Sequence, residues 1–298
     1  MTKIREHFLH LNHNRRDILT GALWLAPSFL GVAIFYIIPF LVIIYYSLID
    51  NPIQANFVFL DNFIDLFQNH AFMTGAANTL IFSVVAVPLA VILSLLTALM
   101  LEARIPLKSY FRTFFLSPLM VPVASVVLIW QVLFHNSGAV NELVMLFGLN
   151  RIDWMYSDYN QVVVVILFLW KNLGFNMILF MAALSNIPRE LLESADVDGA
   201  SGLHKLFSIK MRYLSPTLLF VTILSLINSF KIFREVWLLT GDIPYGRLYL
   251  IQHFMNNIFR NLDYPRLAAA AVVMTFAMVI IIAVLFLIEN RYGRDVEE

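Results

Sequence analysis

From Ile18 to Ile49 the chain runs for 32 residues without a charged side chain. An α-helix rises about 1.5 Å per residue, so roughly 20 apolar residues cross a hydrocarbon layer of about 30 Å. The cations Lys3, Arg5, Arg15 and Arg16 ahead of this run give it the flanks of a secretory signal. Its apolar length is far beyond the ~7–15 residues of a cleavable signal, however, and it reads as a retained first membrane helix, Ala22–Leu48. Five more segments pass the same length test: Leu80–Leu101, Phe114–Phe134, Val162–Leu184, Leu214–Phe233 and Leu267–Ile288. The expected fold is all-α, a polytopic membrane protein with six transmembrane helices. Only 13% of residues are charged, against about 25% in soluble domains.

Orientation follows from where Lys and Arg fall between the spans. The N-terminus, the second and fourth connections and the C-terminus together hold thirteen; the other three connections hold six, of which Lys231, Arg234, Arg247, Arg260 and Arg266 belong to the connection after span five, counting those at span edges. Both termini are therefore expected on the cytoplasmic side of the cell membrane.

Several function classes drop out at this point. Net charge is zero and no basic stripe announces nucleic acid. With no cysteine, disulfides, thiolate metal sites and thiol nucleophiles are excluded. No Gly-rich phosphate loop with its Lys-Ser/Thr is present, so the chain is not expected to hydrolyse ATP. His7, His10 and His13 share a spacing of three, and His70, His135, His204 and His253 are scattered; none suggests a metal site. No catalytic pair is apparent, and Pro88 and Pro122 read as kinks or hinges within spans.

Spans four and five are the polar ones. Asn172 and Asn176 are four residues apart, on a face with Phe168 and Phe175, and Ser225, Asn228, Ser229 and Ile232 repeat at helical spacing. Amides, hydroxyls and aromatic faces suit a neutral polyol in a water-filled path; the same side chains also join membrane helices to one another. Lys171 is assigned either to a sister-subunit carboxylate, to a snorkelling position, or to an anionic solute. No Asp or Glu falls inside the six apolar cores, which disfavours an ion-gradient-driven secondary carrier.

The connection between spans four and five, residues 185–216, carries the most specific signal. Pro188 can open a helix, Glu190 and Glu193 favour its first turn, and Asp198-Gly199 stops it. A second short helix is expected from Ser201, with Leu203, Leu206, Phe207 and Lys210 at helical spacing, ending before Pro216.

Glu193-Ser194-Ala195, three residues, Gly199, nine residues and Ile209 resemble the coupling loop, or EAA loop, of binding-protein-dependent ABC importer permeases, with Ser194 in place of the usual Ala. Met211 and Arg212 stand where that family commonly has Leu and Pro. The likeness extends along most of the chain and is greatest to the sugar permeases of the maltose type. Leu60-Asp61-Asn62-Phe63, Asn78-Thr79-Leu80-Ile81-Phe82, Arg112 to Pro118, Ile129-Trp130 and Ser229-Phe230-Lys231-Ile232-Phe233 with Leu239-Thr240-Gly241 all carry it. Asp242-Ile243-Pro244 replaces the glycines usual after that last motif.

The resemblance implies a type I ABC importer permease fold in a prokaryotic inner membrane. It divides the chain into a cytoplasmic segment 1–17, a first helix and external loop 18–70, a core permease domain 71–289 and a tail 290–298. It also implies partners: a second, homologous permease subunit, a cytoplasmic ATPase dimer holding ATP and Mg, an extracytoplasmic binding protein and a sugar-like solute. Glu190, Glu193, Ala195, Asp198, Gly199 and Ile209 would form the ATPase contact, with Glu193 against a basic residue and Gly199 at the turn. Phe168, Asn172, Phe175, Asn176, Ser225, Asn228 and Ser229 would line the solute path, as helices four and five do in maltose-type permeases. A polyol phosphate, such as a glycerol phosphate, is the alternative solute.

Overall fold

The structure is a computed structural model that describes residues 20–102 and 107–292. The N-terminal segment with its four cations and His7, His10 and His13, Arg104 of the second connection, and Arg294 of the tail lie outside the described residues. Two compact units are present, one built from the described part of Met1–Leu66 with Leu262–Val273, the other from Phe67–Asn261 and the described residues after Met274.

The first unit is dominated by helix α1, Thr20–Ser47. It widens into a π-helical turn at Ala33–Ile37, just ahead of Pro39, whose missing N–H leaves a gap in the backbone ladder. No residue of its most apolar stretch is buried. The chain then turns sharply. Asp50 Oδ1 accepts from the backbone N–H groups of Asn51 and Asn56, and Ile49 pairs with Phe57 in an isolated antiparallel bridge. The amide of Asn62, on α2 (Asp61–Gln68), donates to the carbonyls of Ser47 and Ile49 at 2.9 and 2.8 Å, fastening this turn to the end of α1.

The second unit packs around α3 (His70–Glu102), α7 (Asn160–Ser185) and α10 (Met211–Lys231). Between α3 and α7 lie α4 (Lys108–Met120), α5 (Val123–Leu133) and α6 (Ala139–Leu146). Between α7 and α10 lie α8 (Arg189–Val197) and α9 (Gly202–Lys205). After α10 come α11 (Phe233–Thr240), α12 (Ile251–Arg260) and α13 (Tyr264–Tyr292).

Sequence explains the tight packing of α3. Ala86, Ala90, Ser94 and Ala98 recur every four residues, each fully buried, and form a stripe of small side chains that lets neighbouring backbones approach. Val87, Val91, Met177, Phe180, Leu184, Leu214, Val221 and Leu226 fill the spaces beside it. The approach is closest at Gly174 of α7, where a Cβ would stand 1.8 Å from the carbonyl oxygen of Phe115 in α4.

Among the described residues, five helices are long and apolar enough to cross a membrane: Thr20–Ser47, His70–Glu102, Asn160–Ser185, Gly202–Thr240 and Tyr264–Asn290. The expected third span, Phe114–Phe134, is not one helix. It is the pair α4 and α5, bent by 101° at Val121-Pro122, and counts as a sixth span only if the pair is taken together. Pro122 donates nothing to the ladder, and Val121 before it takes the extended conformation (φ −86°, ψ 127°) that a following proline favours. Pro88, by contrast, leaves α3 continuous. The expected end before Pro216 is also corrected: Pro216 lies inside α10, which continues α9 through a π-helical turn at Leu206–Lys210.

Candidate functional site

The connection 185–216 forms a stiff projection. Pro188 is the N-cap of α8, and Gly199 turns the chain at φ +75°, a left-handed conformation that costs an L side chain about 1–2 kcal/mol. Ser201 caps the next helix by accepting from the N–H of His204. From Gly202 the chain is helical through to Thr240, so the projection is continuous with a membrane-length helix. Lys205 pairs with Asp196 across the turn, and Lys210 reaches Glu102 at the end of α3 at 2.6 Å.

The outer surface of this projection is exposed. Glu190, Glu193, Asp198 and Gly199 are exposed, and Glu193 makes no ion pair among the described residues. Val197, Leu203 and Phe207 are exposed apolar side chains, Val197 at 88%. Leu191, Ser194, Ala195, Asp198, Gly199, His204 and Ile209 line an open groove. All six residues predicted for the coupling loop thus fall on or beside one feature.

The polar residues of spans four and five meet across helices. Asn176 donates to Ser225 at 2.9 Å, Asn228 donates to Oδ1 of Asn172 at 2.9 Å, and the hydroxyls of Ser229 and Ser83 are 2.8 Å apart. Asn172 also donates to the Phe168 carbonyl one turn back. Phe168 is fully buried, edge-on to Phe82. Phe175, expected on the same face, is 40% exposed and lies on another side of α7. A cavity of about 200 Å³ adjoins this layer, lined by Leu119, Phe168, Lys171, Asn172, Asn228, Lys231, Ile232, Arg234 and Glu235.

Lys171 has a partner none of the three sequence assignments foresaw. Its ammonium is paired with Glu235 of the same chain, a carboxylate 3% exposed at the start of α11.

Residues 80–298 match the family described as binding-protein-dependent transport system inner membrane component. That stretch is most of the chain. The protein belongs to this family of importer permeases. A trehalose/maltose transport system permease protein, MalF, of Thermococcus litoralis is 29% identical over 285 residues, covering 94% of this chain and 96% of its own. An sn-glycerol-3-phosphate transport system permease protein, UgpA, of Escherichia coli is 29% identical over 273 residues, covering 89% and 92%. Among solved structures, a bacterial ABC transporter involved in import of the acidic polysaccharide alginate aligns with a TM-score of 0.77 at 22% identity, over 95% of this chain and 98% of that one; it shares the fold.

In this permease several motif residues have structural work. The amide of Asn78 donates to the carbonyls of Gly246 (3.3 Å) and Tyr249 (2.9 Å), Thr79 Oγ1 accepts from the N–H of Ile251 (2.9 Å), and Asn160 donates to the Tyr245 carbonyl (2.8 Å). The segment after α11 is thereby folded back onto α3 and α7. Two of its residues carry weight that sequence reasoning did not give them. Asp242 accepts from the Trp237 indole N–H and pairs with Arg260; these contacts hold its carboxyl below the usual carboxylate range. His253 is fully buried between Phe233 and Tyr249, with Nδ1 accepting from the N–H of Leu250. Burial pushes its pKa down to about 4, against the smaller opposing pull of Asp242.

Glu235 was missed because span five was read to stop at Phe233. Its signal was present: Ser225, Asn228, Ile232 and Glu235 continue one three-and-four helical spacing past that boundary.

Proposed function

We propose that this permease is one of two similar halves of an importer that moves a sugar or related polyol across the inner membrane, driven by a separate cytoplasmic ATPase dimer that binds ATP and Mg. The observation that carries this reading is mechanical. An exposed projection around Glu193 and Gly199 leads through one tight turn, capped at Ser201, into the membrane-length helix Gly202–Thr240. A motor closing on such a knob moves the helix, because a packed helix transmits displacement instead of absorbing it. The bare Glu193 and the exposed Val197, Leu203 and Phe207 offer a charged anchor and an apolar footing for that partner.

In this reading the projection and both termini lie on the cytoplasmic side, as the Lys and Arg bias expects, and a binding protein delivers solute at the opposite face. A sugar is favoured by the amide and hydroxyl layer and by relatives that include a permease named for trehalose and maltose. A polyol phosphate is the second reading, supported by Lys231 and Arg234 at the adjoining cavity.

The test is Glu193→Lys in the membrane-inserted complex. Loss of ATPase co-purification and of ATP-dependent uptake is expected, with thermal stability unchanged because the side chain is exposed. Retention of both would remove the coupling role. Uptake by vesicles containing this chain alone, with an ion gradient and no ATP, would overturn the importer reading itself.

A further inference from the structure

The cavity beside Asn172 and Asn228 holds a charge arrangement that a path for neutral sugars does not need. Glu235 is buried, one of its carboxylate oxygens is paired with Lys171, and the other, Oε2, is buried with no hydrogen-bond partner among the described residues. A buried carboxylate oxygen left bare is costly, so this atom is built to accept a hydrogen bond that the protein does not supply. Glu235 lines the cavity, and a hydroxyl placed there is the simplest donor.

The remaining polar groups on the wall are mostly donors. Lys171 has N–H groups beyond the one given to Glu235, and Lys231 and Arg234 make no ion pair or hydrogen bond among the described residues. Glu235 neutralises one of the three cations, leaving the wall with a net charge of +2. Lys231 and Arg234 are exposed at the mouth of this cavity, and a wall of net positive charge there attracts an anion in preference to a neutral solute. At about 200 Å³ the cavity lies below the ~300 Å³ lower end of ordinary ligand pockets and has room for one ring, not a chain.

We infer that the cavity lined by Lys171, Lys231, Arg234 and Glu235 selects a hydroxylated anion, a sugar acid or phosphorylated polyol, with Lys231 and Arg234 meeting its acidic group and Glu235 Oε2 accepting from a hydroxyl. Lys171 is the positioning residue that pairs with one oxygen of Glu235 and so aims the other. This rests on the importer reading and narrows its solute class.

The test measures equilibrium binding to the complete transporter complex in nanodiscs, using three pairs that differ by one acidic group: glucuronate and glucose, galacturonate and galactose, glycerol 3-phosphate and glycerol. The anionic member of at least one pair should bind tenfold or more tighter than its neutral partner and weaken with rising salt. Lys231→Gln with Arg234→Gln should cut that affinity about tenfold, equivalent to about 1.4 kcal/mol, and Lys231→Arg with Arg234→Lys should restore it. Equal or tighter binding of every neutral partner overturns the inference. So does unchanged anion binding in the double Gln variant, even if uptake falls, because the two cations would then serve docking at the mouth. ATP-dependent uptake of neutral sugars alone defeats this inference and leaves the importer reading standing; transport without the ATPase defeats the importer reading.

Discussion

Two side chains concentrate the electrostatic cost of the bundle. Glu235 is held in the interior by Lys171, which is itself about a third exposed. Removing only the cation strands a buried carboxylate, whereas removing both charges leaves an apolar contact. Lys171→Met alone should therefore lower stability toward the lower end of the ~3–5 kcal/mol seen for broken buried pairs, and Lys171→Met with Glu235→Leu should recover most of it. Thermal unfolding of the detergent-solubilised complex compares the two; equal losses would show that the pair has no mutual stabilising role. His253 gives a pH signature of definite sign. Its pKa is about 4 in the folded chain and near 6.5 when unfolded, so below pH 6.5 the unfolded state binds more protons. Stability should be flat above pH 6.5 and fall as pH drops toward 4, and His253→Gln should flatten the melting temperature against pH over that window. A slope unchanged by that substitution would place the titration elsewhere.

At the level of elements, apolar runs made the helices legible and single residues decided how they end. Mostly apolar runs of about 20 residues, two of them holding a single Lys, located every membrane-length helix among the described residues, because no other element satisfies so much backbone in hydrocarbon. What sequence periodicity could not show was the 101° bend at Val121-Pro122, since Pro88, Pro118 and Pro216 are the same residue type within helices that continue. Proline removes one donor everywhere; whether the helix then breaks depends on what packs around it. The projection 185–216 was readable because its signals, Pro188, Glu190 and Gly199, are local, whereas the contact of Lys171 with Glu235 spans 64 positions and has no local trace. The approach of α7 to α4 is a prediction of the same kind. With a Cβ at residue 174 set 1.8 Å from a backbone oxygen, Gly174→Ala requires one helix to shift. A loss of about 1–3 kcal/mol or more is expected, read as a lowered melting temperature and poor membrane yield, while Gly31→Ala, in helical backbone with no atom within 4 Å of the added Cβ, should be much milder.

For the whole molecule, the consequential unknown is which face of the membrane each end meets, and the composition makes it directly measurable. The chain contains no cysteine, so any introduced thiol is the only one that a maleimide can label in it. Val197 at the tip of the projection is 88% exposed and Ile243 after α11 is 80% exposed, so a cysteine at either site should be tolerated and reactive. The bias of thirteen against six cations places Val197 inside and Ile243 outside, although the five cations after span five pull the other way. That local excess is partly offset in the folded chain: Arg260 is paired with Asp242, and Arg266 lies 3.4 Å from both Asp65 and Asp263. Compensated cations drag less on orientation than bare ones, so the overall bias should hold. In intact right-side-out cells, a membrane-impermeant maleimide should label Ile243→Cys and leave Val197→Cys unlabelled until the membrane is opened. The reverse pattern would put the projection on the outer face, out of reach of any cytoplasmic ATPase, and the proposed coupling would fall with it.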